Sequence, residues 1–455
     1  MSRRKFFIKT MGCQMNEYDS DLMAQDLILM GWERAEDMNE ADLIIVNTCT
    51  VREKPEHKAY SFIGRAIAVK KRRPAAVVAV TGCLAQQRKE EIIERFPEVD
   101  MVVGAREVVN FSDYLKELLS SQKKIVATCL DTSLRMPALV RGFFKGKVTA
   151  YVSIMQGCNN FCSYCIVPYV RGREISRPVD EILKEIEFLI SEGVREITLL
   201  GQNVNSYKWK DIDFPKLLRE VSKIRNLWRL RFTTSHPKDL SDELIKCFEE
   251  LDNLCSHMHL PFQSGSNRIL RLMNRNYTRE KYVELVDKLR KARPDIAITA
   301  DVMVGFPGET EKDFLDTIDL IKRVEFDGLF SFKYTDRPGT RAEKMKDKVD
   351  EREKGRRLEI LQKIQKEITL KKNKKLEGKE VEVLVEGYSK RGNMFMGRTS
   401  TNKIVNFYCN FNAIGNLVKV KVEEAFANSL RGRYVSTVME RDREIMSDKI
   451  HYVNF

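Results

Sequence analysis

Cys158, Cys162 and Cys165 lie in the segment Met155-Gln156-Gly157-Cys158-Asn159-Asn160-Phe161-Cys162-Ser163-Tyr164-Cys165, and three thiolates this close together can hold a metal or an iron–sulfur cluster. A closed structural zinc site or a fully ligated cubane takes four protein ligands, whereas three leave one metal corner open to a small molecule. Three further cysteines share another setting, each at the end of an apolar run: Met11-Gly12-Cys13-Gln14-Met15-Asn16, Asn47-Thr48-Cys49-Thr50 and Thr81-Gly82-Cys83-Leu84, spaced 36 and 34 residues apart. If those runs are neighbouring parallel strands, their thiols emerge together at the carboxyl edge of one sheet, where open α/β domains place ligands. The same thiols could instead pack as small hydrophobes. Gly12 and Gly82 favour the first reading, because they would let the backbone approach a bulky ligand closely. Cys129, Cys247, Cys255 and Cys409 have no motif around them and are expected to be packed thiols.

The elements that position these residues suggest an α/β multidomain chain with three parts. Over residues 1–140, strand-like runs at 5–10, 42–47, 75–81 and 100–104 alternate with helical stretches, which predicts a small parallel α/β domain. Over 145–370 a strand-then-helix pattern recurs six times, with strands expected at 148–155, 195–200, 229–234, 257–262, 297–305 and 328–334. That is the pattern of a partial (β/α)6 barrel, with polar or glycine-rich turns at the strand ends, where such folds do their chemistry. Residues 341–377 are charge-dense, with Leu361, Ile364 and Ile368 at helical spacing, and read as a last helix leading into a linker. A small β-barrel is expected over 375–440, from runs at 381–385, 403–407 and 417–422 separated by Gly387, Gly392, Gly397 and Gly415.

The chain has 455 residues, 43% of them hydrophobic, and no apolar run approaches the roughly 20 residues that span a bilayer. No membrane is expected. Ten cysteines without a secretion signal suggest a reducing cytoplasm, where clusters are commoner than disulfides. Lys plus Arg 79 against Asp plus Glu 66 favours a polyanionic partner. The concentration of charge is local, since residues 371–440 hold 13 Lys and Arg against 7 Asp and Glu. There Phe395, Phe407 and Tyr408 alternate with Arg391, Arg398 and Lys403, the mixture that stacks bases and holds phosphates, although at least two of the aromatics should be barrel core. Arg171 and Arg177 could grip phosphate or carboxylate, or simply be solvated. His236 reads as a structural histidine.

The Cys-x3-Cys-x2-Cys spacing, with Tyr164 before the last cysteine, resembles the signature of radical S-adenosylmethionine enzymes. Together with Gly12-Cys13-Gln14-Met15-Asn16, Asn47-Thr48-Cys49, Gly82-Cys83, the run from Cys158 to Glu174 and Ser264-Gly265-Ser266, it makes nearly the whole chain similar to the methylthiotransferase family, whose TRAM domain the carboxyl-terminal region resembles. Arg173 departs slightly, standing where the family often has an acid. Within the family, Cys162 to Gly172 is most similar to the branch acting on dimethylallyladenosine.

The resemblance implies two [4Fe-4S] clusters and S-adenosyl-L-methionine. The cluster on Cys158, Cys162 and Cys165 would donate an electron and split the cofactor to a deoxyadenosyl radical. The cluster on Cys13, Cys49 and Cys83 would carry sulfur. It also implies Tyr164, Gln202, Gln263 and Ser264 as cofactor contacts, a tRNA anticodon stem-loop rather than DNA as partner, and a low-potential electron donor. The implied reaction adds a methylthio group to carbon 2 of N(6)-dimethylallyladenosine, whose C–H bond has no usable acidity, so that a cofactor-derived radical is required. Alternatives are methylthiolation of threonylcarbamoyladenosine or of a ribosomal-protein aspartate, and, in another class, a non-catalytic iron–sulfur RNA-binding sensor.

Overall fold

Six parallel strands form the amino-terminal sheet, in the spatial order Glu33–Arg34, Lys5–Met11, Leu43–Thr48, Val77–Gly82, Met101–Gly104 and Ile125–Ala127. The computed structural model describes residues 3–50, 53–132, 134–390 and 392–441. Leu43–Thr48 is buried along its whole length, as a parallel strand covered by helices on both faces must be. Phe6, Ile45 and Val103 pack toward Met15, Leu22 and Leu27 of helix Gln14–Leu29, while Ile44, Val46 and Val80 pack on the opposite face against Ile63 and Ile67. Glu33–Arg34 and Ile125–Ala127 were not expected from sequence, being too short to display a period.

Register decides where the cysteines go. Met11 pairs with Thr48, and Thr48 with Gly82, so three adjacent strands end at one level and Cys13, Cys49 and Cys83 leave the same carboxyl edge. Gly12 and Gly82 act differently from the expectation. A Cβ on Gly12 would stand 2.7 Å from Cβ of Cys49, and one on Gly82 would stand 2.3 Å from the Thr48 carbonyl. The glycines make room for neighbouring protein atoms.

All six expected barrel strands are present, as two three-stranded parallel sheets: Thr149–Ser153, Glu196–Leu200, Arg229–Phe232, and then His257–His259, Ala297–Val304, Gly328–Lys333. A parallel bridge from Leu230 to Leu254 joins them. Helix Glu351–Lys374 closes this part, with Leu361 buried and Ile364 and Ile368 against the same core.

The carboxyl-terminal unit is a closed barrel of five strands, Glu380–Tyr388, Phe395–Thr399, Ile404–Tyr408, Leu430–Met439 and Leu417–Ala425 in order around it. Two of these escaped the sequence reading, and Gly387 and Gly397, read as separators, lie inside strands. Gly397 is needed within its strand because a Cβ there would stand 2.1 Å from the Leu384 carbonyl. This barrel docks on the amino-terminal ends of the larger barrel's strands. Arg229 Nη1 donates to the Arg398 carbonyl at 2.6 Å and Arg231 Nη1 to the Ser400 carbonyl at 3.2 Å.

Candidate functional site: two cysteine triplets across a domain seam

The loop bearing Cys158, Cys162 and Cys165 follows the first barrel strand and is held from several sides. Gly157, at φ +82°, lies so close to the Arg173 carbonyl that no side chain fits. Its N–H donates to Gln202 Oε1 at 2.5 Å, so Gln202 of the second strand end fixes the entry to the loop. Ser163 N–H donates to the Met273 carbonyl at 2.9 Å, and Asn274 Nδ2 donates to the carbonyls of Asn160 and Phe161 at 3.1 and 3.0 Å. The far side of the barrel thereby shapes the cysteine loop. Tyr164 packs against Ile269, Met273, Phe306 and Tyr334.

Burial pushes the Cys158 thiol up and, with Cys162 beside it, pushes Cys165 up to about 12. Arg275 is buried against this loop, its Nη1 3.8 Å from Cys162 Sγ, and its other hydrogen bonds go to the Tyr277 hydroxyl and the Pro261 carbonyl. No carboxylate pairs with it among the described residues. A buried cation without a carboxylate suits an anionic neighbour, and thiolates binding iron would be one.

Gln263, four residues past its strand, takes φ +63° and makes an isolated parallel bridge to Val302. The Ser264 hydroxyl accepts from Ser266 N–H at 3.2 Å. Four buried polar atoms at the strand ends pair with nothing among the described residues: Gln156 Oε1, Asn203 Oδ1, Ser235 Oγ and His236 Nε2. All four sit at the carboxyl ends of the first three barrel strands. His236 is structural as expected in one respect, since its Nδ1 accepts from Lys238 N–H at 3.2 Å. Burial, then Arg275, lowers its pKa to about 2, so the ring is neutral and carries its proton on the unpaired Nε2. Unpaired buried donors and acceptors are costly unless a polar ligand meets them. The donor set fits S-adenosylmethionine, with its amino, carboxylate and ribose groups. The sequence places Asn203 and Ser235 in the polar stretches that follow barrel strands without giving either a role, and Gln156 and Arg275 go unnoticed because single polar residues carry no pattern.

The second triplet is assembled from three strand ends. Cys13 caps helix Gln14–Leu29, and Cys83 begins helix Cys83–Arg88. Two amides knit the turns together: Asn16 Nδ2 donates to Asn47 Oδ1 at 2.9 Å, and Asn47 Nδ2 donates to the Asn16 carbonyl at 2.8 Å. Cys49 and Cys83 are buried and Cys13 is exposed. A hydrogen bond from the Cys49 thiol, helped by the charge of Arg171 and opposed by burial, lowers Cys13 to about 6. Burial pushes Cys83 up against the pull of Arg171. Neither triplet is a closed cage: among the described residues no three His, Cys, Asp or Glu side chains stand ready around a metal.

The two triplets face one seam. Cys83 packs with Ala105, Ile166 and Val170, and Ile166 follows Cys165 directly. Arg171 and Arg177 are not solvated. Arg171 Nη2 donates to Asp19 at 2.7 Å and Arg177 Nη1 to Glu185 at 2.7 Å, all four side chains buried. Helix Gln14–Leu29 is thus buried nearly all round, one side on its own sheet and the other receiving Arg171, Arg177 and Lys147 through Asp19, Tyr18 and Asp21. Of the motif-free cysteines, Cys247 and Cys255 are buried, Cys409 is half-buried, and Cys129 is exposed, contrary to expectation, on an extended connection after the last sheet strand.

In the small barrel, Phe395 and Phe407 are core and Tyr408 is 59% exposed. Arg398 and Lys403 are not free for phosphates, because Arg398 pairs with Glu386 at 3.2 Å and Lys403 with Asp327 at 3.1 Å. Arg391 lies outside the described residues. Tyr388, Tyr408 and Phe411 instead line a cleft of about 350 Å³ with Asn393, Asn410 and Asn412.

Comparison with known proteins agrees with this architecture. Family models match at residues 5–104 (Uncharacterized protein family UPF0004), 152–321 (Radical SAM superfamily) and 374–435 (TRAM domain). Among solved structures, the radical S-adenosylmethionine methyltransferase TsrM from Kitasatospora setae shares the fold, with TM-score 0.56 at 16% identity over 75% of this chain and 74% of that one. The tRNA-2-methylthio-N(6)-dimethylallyladenosine synthase of Syntrophus aciditrophicus is 51% identical over 95% of both chains. That of Syntrophobacter fumaroxidans is 49% identical over 95% of this chain and 96% of its own. Identity at this level over nearly the full length, with both cysteine triplets at the seam, places the chain in the radical S-adenosylmethionine methylthiotransferase family.

Proposed function

We propose that this protein adds a methylthio group to carbon 2 of N(6)-dimethylallyladenosine next to the anticodon of tRNA, using S-adenosylmethionine and two [4Fe-4S] clusters, one on Cys158, Cys162 and Cys165 and one on Cys13, Cys49 and Cys83. The observation that carries this reading is the seam itself, where Cys83 packs against Ile166, so that a radical-generating site and a sulfur-carrying site would open toward one substrate base. The names of the relatives support the choice of nucleoside.

When bound, the clusters and S-adenosylmethionine would supply the electron, the carbon radical, the methyl group and the sulfur that side chains cannot. The chain's own residues hold and orient. Gln202 fixes Gly157 and the start of the cysteine loop, and Asn274 fixes its middle. Asn203, Ser235 and the neutral His236 Nε2–H offer the polar groups for the cofactor. Arg275 balances the charge of the barrel thiolates. The small barrel would grip the anticodon stem-loop, and a low-potential donor would deliver electrons.

The test is mass spectrometry of tRNA nucleosides from cells lacking the protein, joined to assay of S-adenosylmethionine cleavage by the reduced protein. The expected result is loss of the methylthio nucleoside with accumulation of plain dimethylallyladenosine, and cofactor cleavage in vitro. Unchanged tRNA nucleosides would reject the substrate, and absence of cleavage would reject the radical chemistry.

A further inference from the structure

Two guanidinium groups meet at the amino-terminal triplet with fewer partners than their burial demands. Arg171 arrives from the barrel, just past helix Val167–Val170, and its Nη2 holds Asp19 at 2.7 Å. Val170, the residue before Arg171 in the chain, packs on Cys83. Arg106 arrives from the amino-terminal sheet, next to Ala105, which packs on Cys83; it is 1% exposed, and its Nη2 donates to the Arg173 carbonyl at 3.3 Å. Arg106 Nε and Nη1 and Arg171 Nη1 are buried donors with no partner among the described residues. Arg171 disfavours the charge of Arg106; Asp19 is bound to Arg171, Asp131 is exposed, and the buried Glu107 beside Arg106 is taken up by Asn110, Tyr114 and Thr132.

Buried charge in excess, with N–H groups left over, is costly unless an anion completes it. The anionic groups available are the thiolates of Cys13, Cys49 and Cys83 and whatever sulfur they carry. Hydrogen-bond donors and positive charge around sulfur ligands stabilise the more negative, reduced state of a cluster. Resting on the two-cluster reading above, we propose that Arg171 and Arg106 are positioning residues of the sulfur-carrying cluster, donating their spare N–H groups to its sulfur atoms and setting its reduction potential. Arg171 is covalently continuous with the other cysteine loop, so docking of the barrel completes the environment of the amino-terminal cluster.

The test uses the full chain carrying Cys158→Ala, Cys162→Ala and Cys165→Ala, in which only the amino-terminal cluster remains, reconstituted with iron and sulfide and reduced stepwise under electron paramagnetic resonance. Arg171→Met and Arg106→Met should each lower the equilibrium constant for one-electron reduction at least tenfold, a shift of about 59 mV to lower potential. Arg171→Lys should recover at least half of that shift. Asp19→Asn breaks the same ion pair as Arg171→Met but removes the opposite charge, so it should move the potential upward. A mere structural clamp would make those two variants shift alike, and that result would overturn the proposal. So would unchanged potentials with full iron content, or iron lost from the charge-preserving Arg171→Lys and Arg106→Lys variants, which would make both residues struts. A parent protein that held no iron would instead defeat the two-cluster reading, and the proposal with it.

Discussion

The two cysteine triplets differ in how the chain makes them. The barrel triplet spans eight consecutive residues, Cys158 to Cys165, in a loop tied down by Gln202, Asn274 and the Met273 carbonyl. The amino-terminal triplet is spread over three strand ends and exists only because three parallel strands stop in register. Their chemistry differs in the same way. Burial makes Cys158 and Cys165 reluctant to ionise, with Cys165 near 12, whereas Cys13 is already lowered to about 6 by Cys49 and Arg171. Metal must therefore expel protons from Cys158 and Cys165, while the amino-terminal triplet offers the Cys13 thiolate at neutral pH before metal arrives. Exposure separates single residues rather than whole triplets: Cys13 is open and Cys165 half-buried, while Cys49, Cys83, Cys158 and Cys162 are buried.

The largest test of this contrast removes each triplet. With Cys158, Cys162 and Cys165 changed to alanine, S-adenosylmethionine cleavage and methylthio product should both vanish and the iron content should fall by about half, one of two cubane sites being lost. With Cys13, Cys49 and Cys83 changed, reductive cleavage should persist while the methylthio product disappears. Normal product from the second variant would show that the amino-terminal cysteines are structural and that the comparison is misdrawn.

A sharper test uses Arg275, the buried cation beside Cys162. In the metal-free protein it has no carboxylate to balance it, so Arg275→Met should leave thermal stability equal or higher, as apolar replacement of buried charge often does. In the reconstituted protein the same change should weaken retention of the barrel cluster about 10–100-fold, the range for residues that support metal ligands. Melting curves and chelator competition read the two effects. A variant destabilised with and without iron alike would mean that Arg275 serves packing through Tyr277 and Pro261.

These differences also explain what the sequence could disclose. Local spacing exposed the barrel triplet outright, and recurrence at the ends of three apolar runs exposed the other, since a parallel sheet converts that recurrence into proximity. The six barrel strands were legible for the same reason. What stayed hidden is pairing: Arg171 with Asp19 and Lys403 with Asp327 join residues far apart in sequence, and Arg398 meets Glu386 across a hairpin whose second strand went unread. Strands Phe395–Thr399 and Leu430–Met439 were masked because both carry glycine and arginine on a narrow barrel wall. That Asn203 Oδ1, Ser235 Oγ and His236 Nε2 lack partners among the described residues is visible only once the strand ends are assembled.

Proton dependence separates the triplets more gently. A thiol whose pKa is depressed is ionised above that value and loses its charge as pH falls through it. In metal-free protein, alkylation at Cys13 by iodoacetamide should therefore be near its plateau at pH 7 and half-maximal near pH 6. Cys165, pushed up to about 12, should stay unlabelled throughout that range. Peptide mass spectrometry after timed labelling reads both. A midpoint for Cys13 near the ordinary thiol value of about 8.5 would remove the proposed pre-ionised thiolate.

The smallest effect concerns how RNA reaches the seam. Among the described residues, those that line the aromatic cleft of the small barrel carry no charge, and Arg398 and Lys403 are occupied by carboxylates. That composition favours stacking of an unpaired base over phosphate gripping. Glu386 and Met396, beside the hairpin tip, line a second cleft with Thr10, Glu17 and Tyr151, so this hairpin faces the amino-terminal domain. Deleting the small barrel would be a poor test, because Arg229 and Arg231 would lose their carbonyl partners and the larger barrel would be damaged. Tyr408, more than half exposed, can be changed without disturbing the core. Tyr408→Ala should weaken binding of a modified anticodon stem-loop by about 1–3 kcal/mol, the usual worth of one base–aromatic stack. Its slope of log affinity against log salt should match that of the wild type, since no phosphate contact is removed. A flatter slope with the same loss would mean that the cleft orders a phosphate-binding surface nearby, and unchanged affinity would mean that the exposed aromatics do not meet RNA.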